Sequence, residues 1–295
     1  MLGVAGFGNS RNGTERGVGT LKDLLAADDG AERMFDEMLR NTDTCIEVLR
    51  LALKARGYNN LTDDKVGGEE NFRRILLKQI GVEVAVDIGC NVGLYSRALL
   101  EGDPSLKVYA FDPSPAPAPA MRALVEAFPG RLDFIPKGVG AESGRKSFYF
   151  SEKASFLGSF VKEIEEIHYV DNDQAAEVDI VALDEYFAGK NAPERIDFIK
   201  IDTEGYEEEV LKGARKTIET YRPKAIQIEF NWHHLFVGST MYSIAAQLPG
   251  YKLYQLLPDW IAERNPTHPF NNMFVYSNFV FLLPEAVDRM KRPAG

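Results

Sequence analysis

Beyond Gly81 the chain alternates short apolar runs with amphipathic stretches, and this alternation restricts the fold more than any other feature of the 295 residues. Residues 83–88, 107–111, 132–135, 197–201, 225–230, 252–257 and 279–283 read as strands. Residues 91–100, 120–128, 207–221 and 241–248 read as helices between several of them. A chain that passes repeatedly from strand to helix to strand builds a largely parallel sheet covered on both faces, so the expectation is an α/β, doubly wound architecture. The stretches 143–151 and 177–181 read as a β insertion around a charged helical segment near Glu163.

Upstream of Gly81 the pattern changes. Residues 1–30 are glycine-rich and aperiodic and are expected to form a flexible N-terminus. The run Gly3-Val4-Ala5-Gly6-Phe7-Gly8 imitates a phosphate loop, but no strand precedes it and no helix follows. From Ala31 onward Met34, Met38, Ile46, Leu49 and Leu53 recur at helical spacing, Thr44 and Glu47 are placed for a capping box, and Gly57 stops the run. A second helix over 69–79 turns Phe72, Ile75, Leu76 and Leu77 inward and ends at Gly81. Residues 31–80 are therefore expected to be a helical lid or brace, and 81–295 a Rossmann-like domain.

Composition narrows the setting. At 45% hydrophobic and 26% charged residues the chain is neither disordered nor fibrous. With 34 basic against 44 acidic residues and a net charge of −10, it is a poor candidate for nucleic acid or anionic lipid. Cys45 and Cys90 make no disulfide framework, which points to a reducing, cytoplasmic location. No signal peptide is read at the start, and the uncharged run 265–284 is broken by three prolines and four asparagines, so no membrane insertion is expected.

The most informative segment is VAVDIGCNVGLYS, residues 84–96. It reads strand, tight turn, helix. Gly89 permits a turn that a β-carbon would obstruct, and Gly93 permits close helix packing, opening the backbone N–H groups of the helix start to a ligand. The dinucleotide fingerprint G-x-G-x-x-G needs a glycine where Cys90 and Asn91 stand. Asp87 would set one anion against another if a pyrophosphate crossed here, whereas a carboxylate suits the ammonium of an amino-acid ligand. The turn thus disfavours a nicotinamide cofactor and favours a cationic one bearing an amino acid. Asp112 ends the next strand, where an acid accepts hydrogen bonds from ribose hydroxyls in doubly wound nucleotide sites.

Together, VDIGCNVGLYS, FDPSP, IDFIKIDTEGYEEEVLKGA and IQIEFNW resemble the FkbM family of S-adenosylmethionine-dependent methyltransferases, from about Glu70 to Leu283. The resemblance implies a class I methyltransferase sheet of order 3-2-1-4-5-7-6, here with an N-terminal helical extension. It implies methyl transfer to a hydroxyl of a sugar, glycolipid or other small molecule. It also implies that Asp87, Gly89, Asn91 and Gly93 hold the methionine part of the cofactor, Asp112 its ribose, and that Val139 lies near the adenine. Asp112 stands where the family more often has glutamate, and Cys90 where it more often has alanine. A nicotinamide-dependent oxidoreductase and a non-catalytic cofactor-binding sensor or scaffold are the alternative readings.

Methyl transfer gains most of its rate from positioning, but a hydroxyl acceptor also needs a destination for its proton. Candidates cluster at the carboxyl ends of the fourth and fifth strands, where open α/β sheets bind ligands: Asp202 and Glu204 in KIDTEG, and Glu229, Asn231, His233 and His234 in IEFNWHH. Asp202, Glu229 and His233 are the expected catalytic set, with His233 preferred over His234 as proton acceptor. Glu204 is read equally as a cap for the helix starting near Tyr206. Three carboxylates on one rim could also hold a divalent cation, magnesium or calcium rather than zinc. Trp232, Tyr254, Trp260 and Phe270 are candidates for a sugar-stacking wall.

Overall fold

A computed structural model describes residues 29–58, 64–151, 155–167, 170–189 and 192–290. The Gly3–Gly8 run and nearly all of the expected flexible terminus lie outside the described residues. The chain divides into two units, Met1–Ala52 and Leu53–Gly295.

In the first unit a helix at Asp29–Arg40 is followed by one at Thr42–Ala55, which runs into the second unit. The side chain of Asn41 caps the latter, accepting from the N–H groups of Asp43 (3.1 Å) and Thr44 (3.3 Å). This corrects the expected capping box: Thr44 is already inside the helix, and Glu47 pairs with Arg50 instead. The apolar spacing is helical as expected, yet Phe35, Leu39, Ile46, Leu49 and Leu51 are exposed.

The second unit holds an eight-stranded sheet: β1 Val84–Ile88, β2 Lys107–Phe111, β3 Leu132–Ile135, β7 Phe198–Ile201, β8 Ala225–Phe230, β9 Lys252–Leu256, β10 Ile261–Glu263 and β11 Ser277–Leu282. Its spatial order is β10-β9-β11-β8-β7-β1-β2-β3. Setting aside the short edge strand β10, this is 3-2-1-4-5-7-6, the order that the resemblance implied. The strands β1, β2, β3, β7 and β8 pair in parallel, while β11 runs antiparallel to both β8 and β9. A separate sheet joins β4 (Gly138–Val139), β5 (Gly144–Phe150) and β6 (Gln174–Val181), enclosing a 3-10 turn at Lys162–Glu166. That is the expected β insertion.

Alternation along each strand sends side chains to opposite faces. Val86, Ile88, Ile199, Ile201, Ile226 and Ile228 join one buried apolar cluster, and Ala85, Val108, Phe198, Ala225 and Val280 the other. The helix Glu69–Ile75, continued by one π turn to Ile80, packs Phe72, Ile75 and Leu76 into the second cluster. Along this second face the composition changes toward the carboxyl ends. Two positions beyond Ala85, Phe198 and Ala225 come Asp87, Lys200 and Gln227, all buried, and two further on come Gly89, Asp202 and Glu229. The polar positions form a graded path from core to rim. No helix among the described residues is long and apolar enough to cross a membrane.

Candidate active site

A cavity of about 740 Å³ opens at the carboxyl ends of β1, β2, β7 and β8. The segment following β1 is pinned to its neighbours: the N–H groups of Gly89 and Cys90 donate to Phe111 O, and Asn91 N–H donates to Asp112 Oδ2 (2.8 Å). Gly89 has φ +80°, and a β-carbon there would lie 1.7 Å from the carbonyl oxygen of Asp202. Only glycine lets the ends of β1 and β7 approach this closely, and that approach sets the floor of the cavity.

Of the expected cofactor residues, Gly89, Asn91, Asp112 and Val139 line the cavity. Asp112 accepts from Asn91 and from Ser114 N–H (2.8 Å), one bond per oxygen, which leaves acceptor capacity on a group with about four lone-pair sites. Burial pushes its pKa up to about 6, against the backbone bonds that oppose the shift.

Asp87 and Gly93 do not line the cavity. Asp87 lies one residue short of the strand end, on the face that the helix Leu94–Gly102 covers. It is buried beneath the turn, where it accepts from Ser96 Oγ (2.6 Å). Burial raises its pKa, with the charge of Lys200 as the main opposing influence. A β-carbon on Gly93 would strike Met121 Sδ and Leu124 Cδ2 at 2.6 Å, so that glycine serves packing against the helix Ala118–Ala127.

The opposite rim carries the acids. Oxygens of Asp202, Glu204 and Glu229 lie within 4.8 Å of one another, and all three residues line the cavity. Each has a protein partner. Lys200 Nζ pairs with Asp202. Asn231 Nδ2 donates to Glu229 Oε1 (2.7 Å) and to Glu204 Oε2 (2.9 Å). His233 Nδ1 lies against Glu204 Oε2. Burial, followed by the charges of Asp202 and Glu204, raises the pKa of Glu229 well above the usual carboxylate range. For Lys200, burial works against the ammonium, but Asp202, Glu69 and Asp87 hold its pKa well above that of a free lysine. Its Nζ also lies 5.2 Å from the centroid of the Tyr95 ring.

The adjacent histidines divide their work. His234 is buried away from the cavity: its Nδ1 accepts from Asn231 N–H (3.3 Å) and its Nε2 lies 2.9 Å from Glu207 Oε2. His233 lines the cavity, 1% exposed, and its Nε2 has no hydrogen-bond partner. Burial disfavours the charged ring, but hydrogen bonding and charge from Glu204 outweigh it, so the His233 pKa is raised. Glu204 does not cap the following helix, contrary to one of its two readings. Glu207 reaches back instead, accepting from Thr203 N–H (2.8 Å) and Thr203 Oγ1 (3.0 Å).

Of the four aromatic candidates only Trp232 lines the cavity; Tyr254 is in the core, Trp260 packs beside it and Phe270 is exposed. The wall is built by Phe148, Phe156 and Phe160 from the insertion, by Phe111 at the end of β2, and by Tyr276, which accepts from Asn278 Nδ2 (3.1 Å). Sequence reasoning missed Phe148, Phe156 and Phe160 because insertion aromatics carry no strand-end signal. It also missed Lys200, although a lysine inside the apolar strand FIKI, two residues before an acid, was a usable sign.

The 3-2-1-4-5-7-6 order, with an antiparallel seventh strand and a ligand cavity at the strand ends, defines a class I methyltransferase, which takes its methyl group from S-adenosylmethionine. The chain belongs to the FkbM methyltransferase family, since the model of the methyltransferase FkbM domain matches residues 87–263. Among curated relatives, the 2-O-methyltransferase NoeI of Sinorhizobium fredii is 25% identical over 185 residues, 59% of this chain and 74% of its own length. The hexuronic acid methyltransferase AglP of Haloferax volcanii is 25% identical over 162 residues, 55% of this chain and 62% of its own, so the match spans less than two thirds of that relative. A solved structure described as a putative caffeoyl-CoA O-methyltransferase from Staphylococcus aureus aligns over 86% of this chain and 100% of that one at 13% identity, with a TM-score of 0.41, too distant to add to the class.

Proposed function

We propose that the protein O-methylates a hydroxyl of a sugar or a sugar-bearing small molecule, with His233 as the proton acceptor. The observation that carries this reading is the buried, unpartnered Nε2 of His233 in the cavity wall, on a ring whose Nδ1 lies against Glu204. An imidazole held in this way by a carboxylate presents its free nitrogen as a base toward a bound hydroxyl. The relatives named for 2-O-methylation and for a hexuronic acid support a carbohydrate hydroxyl as acceptor.

The cavity fits the cofactor. When bound, S-adenosylmethionine supplies a methyl group on a positively charged sulfur. Gly89 and Asn91 would face its methionine part, Asp112 would accept from its ribose hydroxyls, and Val139 with Phe111 would flank its adenine. Asp202 and Glu204 give the rim a negative field suited to a cation. Asp112→Ala is expected to weaken S-adenosylhomocysteine binding at least tenfold by calorimetry, about 1.4 kcal/mol, since charge-assisted hydrogen bonds contribute about 1.5–3 kcal/mol. Wild-type affinity should fall as pH drops through about 6, because protonation removes an acceptor from Asp112. An affinity independent of pH and of this substitution would take Asp112 out of the site.

A divalent cation is not needed in this reading, because each acid already has a protein partner: Lys200 faces Asp202, His233 and Asn231 face Glu204, and Asn231 donates to Glu229. Activity is expected to survive exhaustive chelation, and loss reversed by added magnesium would restore the metal reading. The function itself is tested by following S-adenosylhomocysteine release with hydroxylated acceptors and with amines of matched size. Release with amines alone would reject it.

A further inference from the structure

Resting on the sugar-hydroxyl reading above, we propose that the acceptor ring is uncharged, and that the rim of Asp202, Glu204 and Glu229 excludes sugars carrying a carboxylate or phosphate beside the reacting hydroxyl. The side of the cavity where His233 can reach a hydroxyl is rich in hydrogen-bond acceptors, with three carboxyl groups whose oxygens lie within 4.8 Å of one another. Sugar hydroxyls donate to such groups, whereas an anionic substituent offers no donor and meets the charge of Glu204, which stays uncompensated while the His233 ring is neutral and Lys200 is set against Asp202.

A cavity built for an anion presents guanidinium or ammonium groups. Among the described residues no arginine lines this one. Lys137 does, but it lies in the β3–β4 link beside Val139, on the half assigned to the cofactor, with its ammonium 3.9 Å from Asp179. Lys200 is directed at Asp202 from beneath and is not part of the wall. Aromatic rings of Phe148, Phe156, Phe160 and Trp232 share this lining, and rings of this kind are surfaces on which the C–H side of a neutral sugar stacks. Acidic acceptors and aromatic rings in one cavity match the hydroxyls and the C–H surface of an uncharged sugar. The relative AglP is named for a hexuronic acid, so the inference separates this chain from it.

The test compares methyl transfer by the wild-type protein to three matched probes: a methyl hexopyranoside, the corresponding methyl hexopyranosiduronate with its free carboxylate, and the uncharged uronamide of the same glycoside, in the gluco, galacto and manno series. The amide has the size of the acid without its charge. The expected result is kcat/KM for hexoside and amide within about tenfold of each other, and at least a hundredfold lower for the uronate. A uronate within threefold of its amide would overturn the proposal while leaving the methyltransferase reading intact. No transfer to any sugar, alongside transfer to a non-sugar hydroxyl, would overturn both the carbohydrate reading and this inference.

Discussion

Alanine at position 233 is expected to lower kcat by two to four orders of magnitude, the range over which a positioned general base contributes, while affinity for S-adenosylhomocysteine changes less than threefold. His233 Nε2 is buried in the cavity wall without a partner, and the ring is braced by Glu204 rather than by any group assigned to the cofactor. The base must be neutral to accept a proton, so kcat should fall as pH drops through an apparent value above 6.5, the direction in which Glu204 shifts this histidine. Glu204→Gln removes the charge that raises the His233 pKa, so the acidic limb of the profile should move to lower pH. His234→Ala, which loses a ring held by Glu207 outside the cavity, should act on stability and leave the position of that limb unchanged. A His233→Ala enzyme that retains wild-type kcat on a true acceptor would remove the base assignment.

The second large effect is expected at Lys200. Lys200→Met leaves Asp87 and Asp202 without their buried counter-charge, and removing one partner of a buried ion pair costs about 3–5 kcal/mol. In a unit of this size that lowers Tm by on the order of 10 °C. The folded pKa of Lys200 is raised, so its stabilisation is fully present below the ordinary lysine value and is lost only as pH rises through the folded one. At pH 7 the wild type therefore has all of it. The deficit of the variant should shrink toward acid pH, where the stranded Asp87 carboxylate, its pKa raised by burial, takes up a proton. Pairing Lys200→Met with Asp202→Asn should recover part of the loss, a coupling that urea unfolding of the double-mutant cycle measures. A single-variant cost under about 1 kcal/mol would mean that the lysine does not compensate the acids.

Lys200 also shows where reading the sequence stopped. FIKI reads as a strand and KIDTEG as the source of rim acids, but the role of Lys200, which belongs to both, is not evident from either. Its meaning depends on Asp87 of β1, its register neighbour, and on Glu69, more than a hundred residues away along the chain. The same holds for Gly93. Its conformation, φ +76°, is a local matter that the turn suggested, but the atoms that exclude a side chain there belong to Met121 and Leu124. Asp87 looked like a ligand because it precedes the turn. Strand alternation places it on the face covered by a helix, while Ile88 and Gly89, the next two residues, line the cavity.

By itself the sequence determined all the strands but the short β4 and β10, most of the helices, the turn after β1, the family, and the rim from which Asp202, Glu229 and His233 project. These follow from hydrophobic period, glycine placement and strand ends, properties carried within a dozen or so neighbouring residues. Only the tertiary structure decided which of two adjacent histidines faces the cavity, that Glu204 braces it while Glu207 reaches back to Thr203, that Lys200 balances the acids from below, and that Phe148, Phe156 and Phe160 of the insertion build the wall. Apart from the Glu207–Thr203 and Lys200–Asp202 contacts, which are local, these depend on contacts between segments far apart in the chain. The direction and burial of a side chain are set by what packs against it, and its own neighbours in sequence do not encode that.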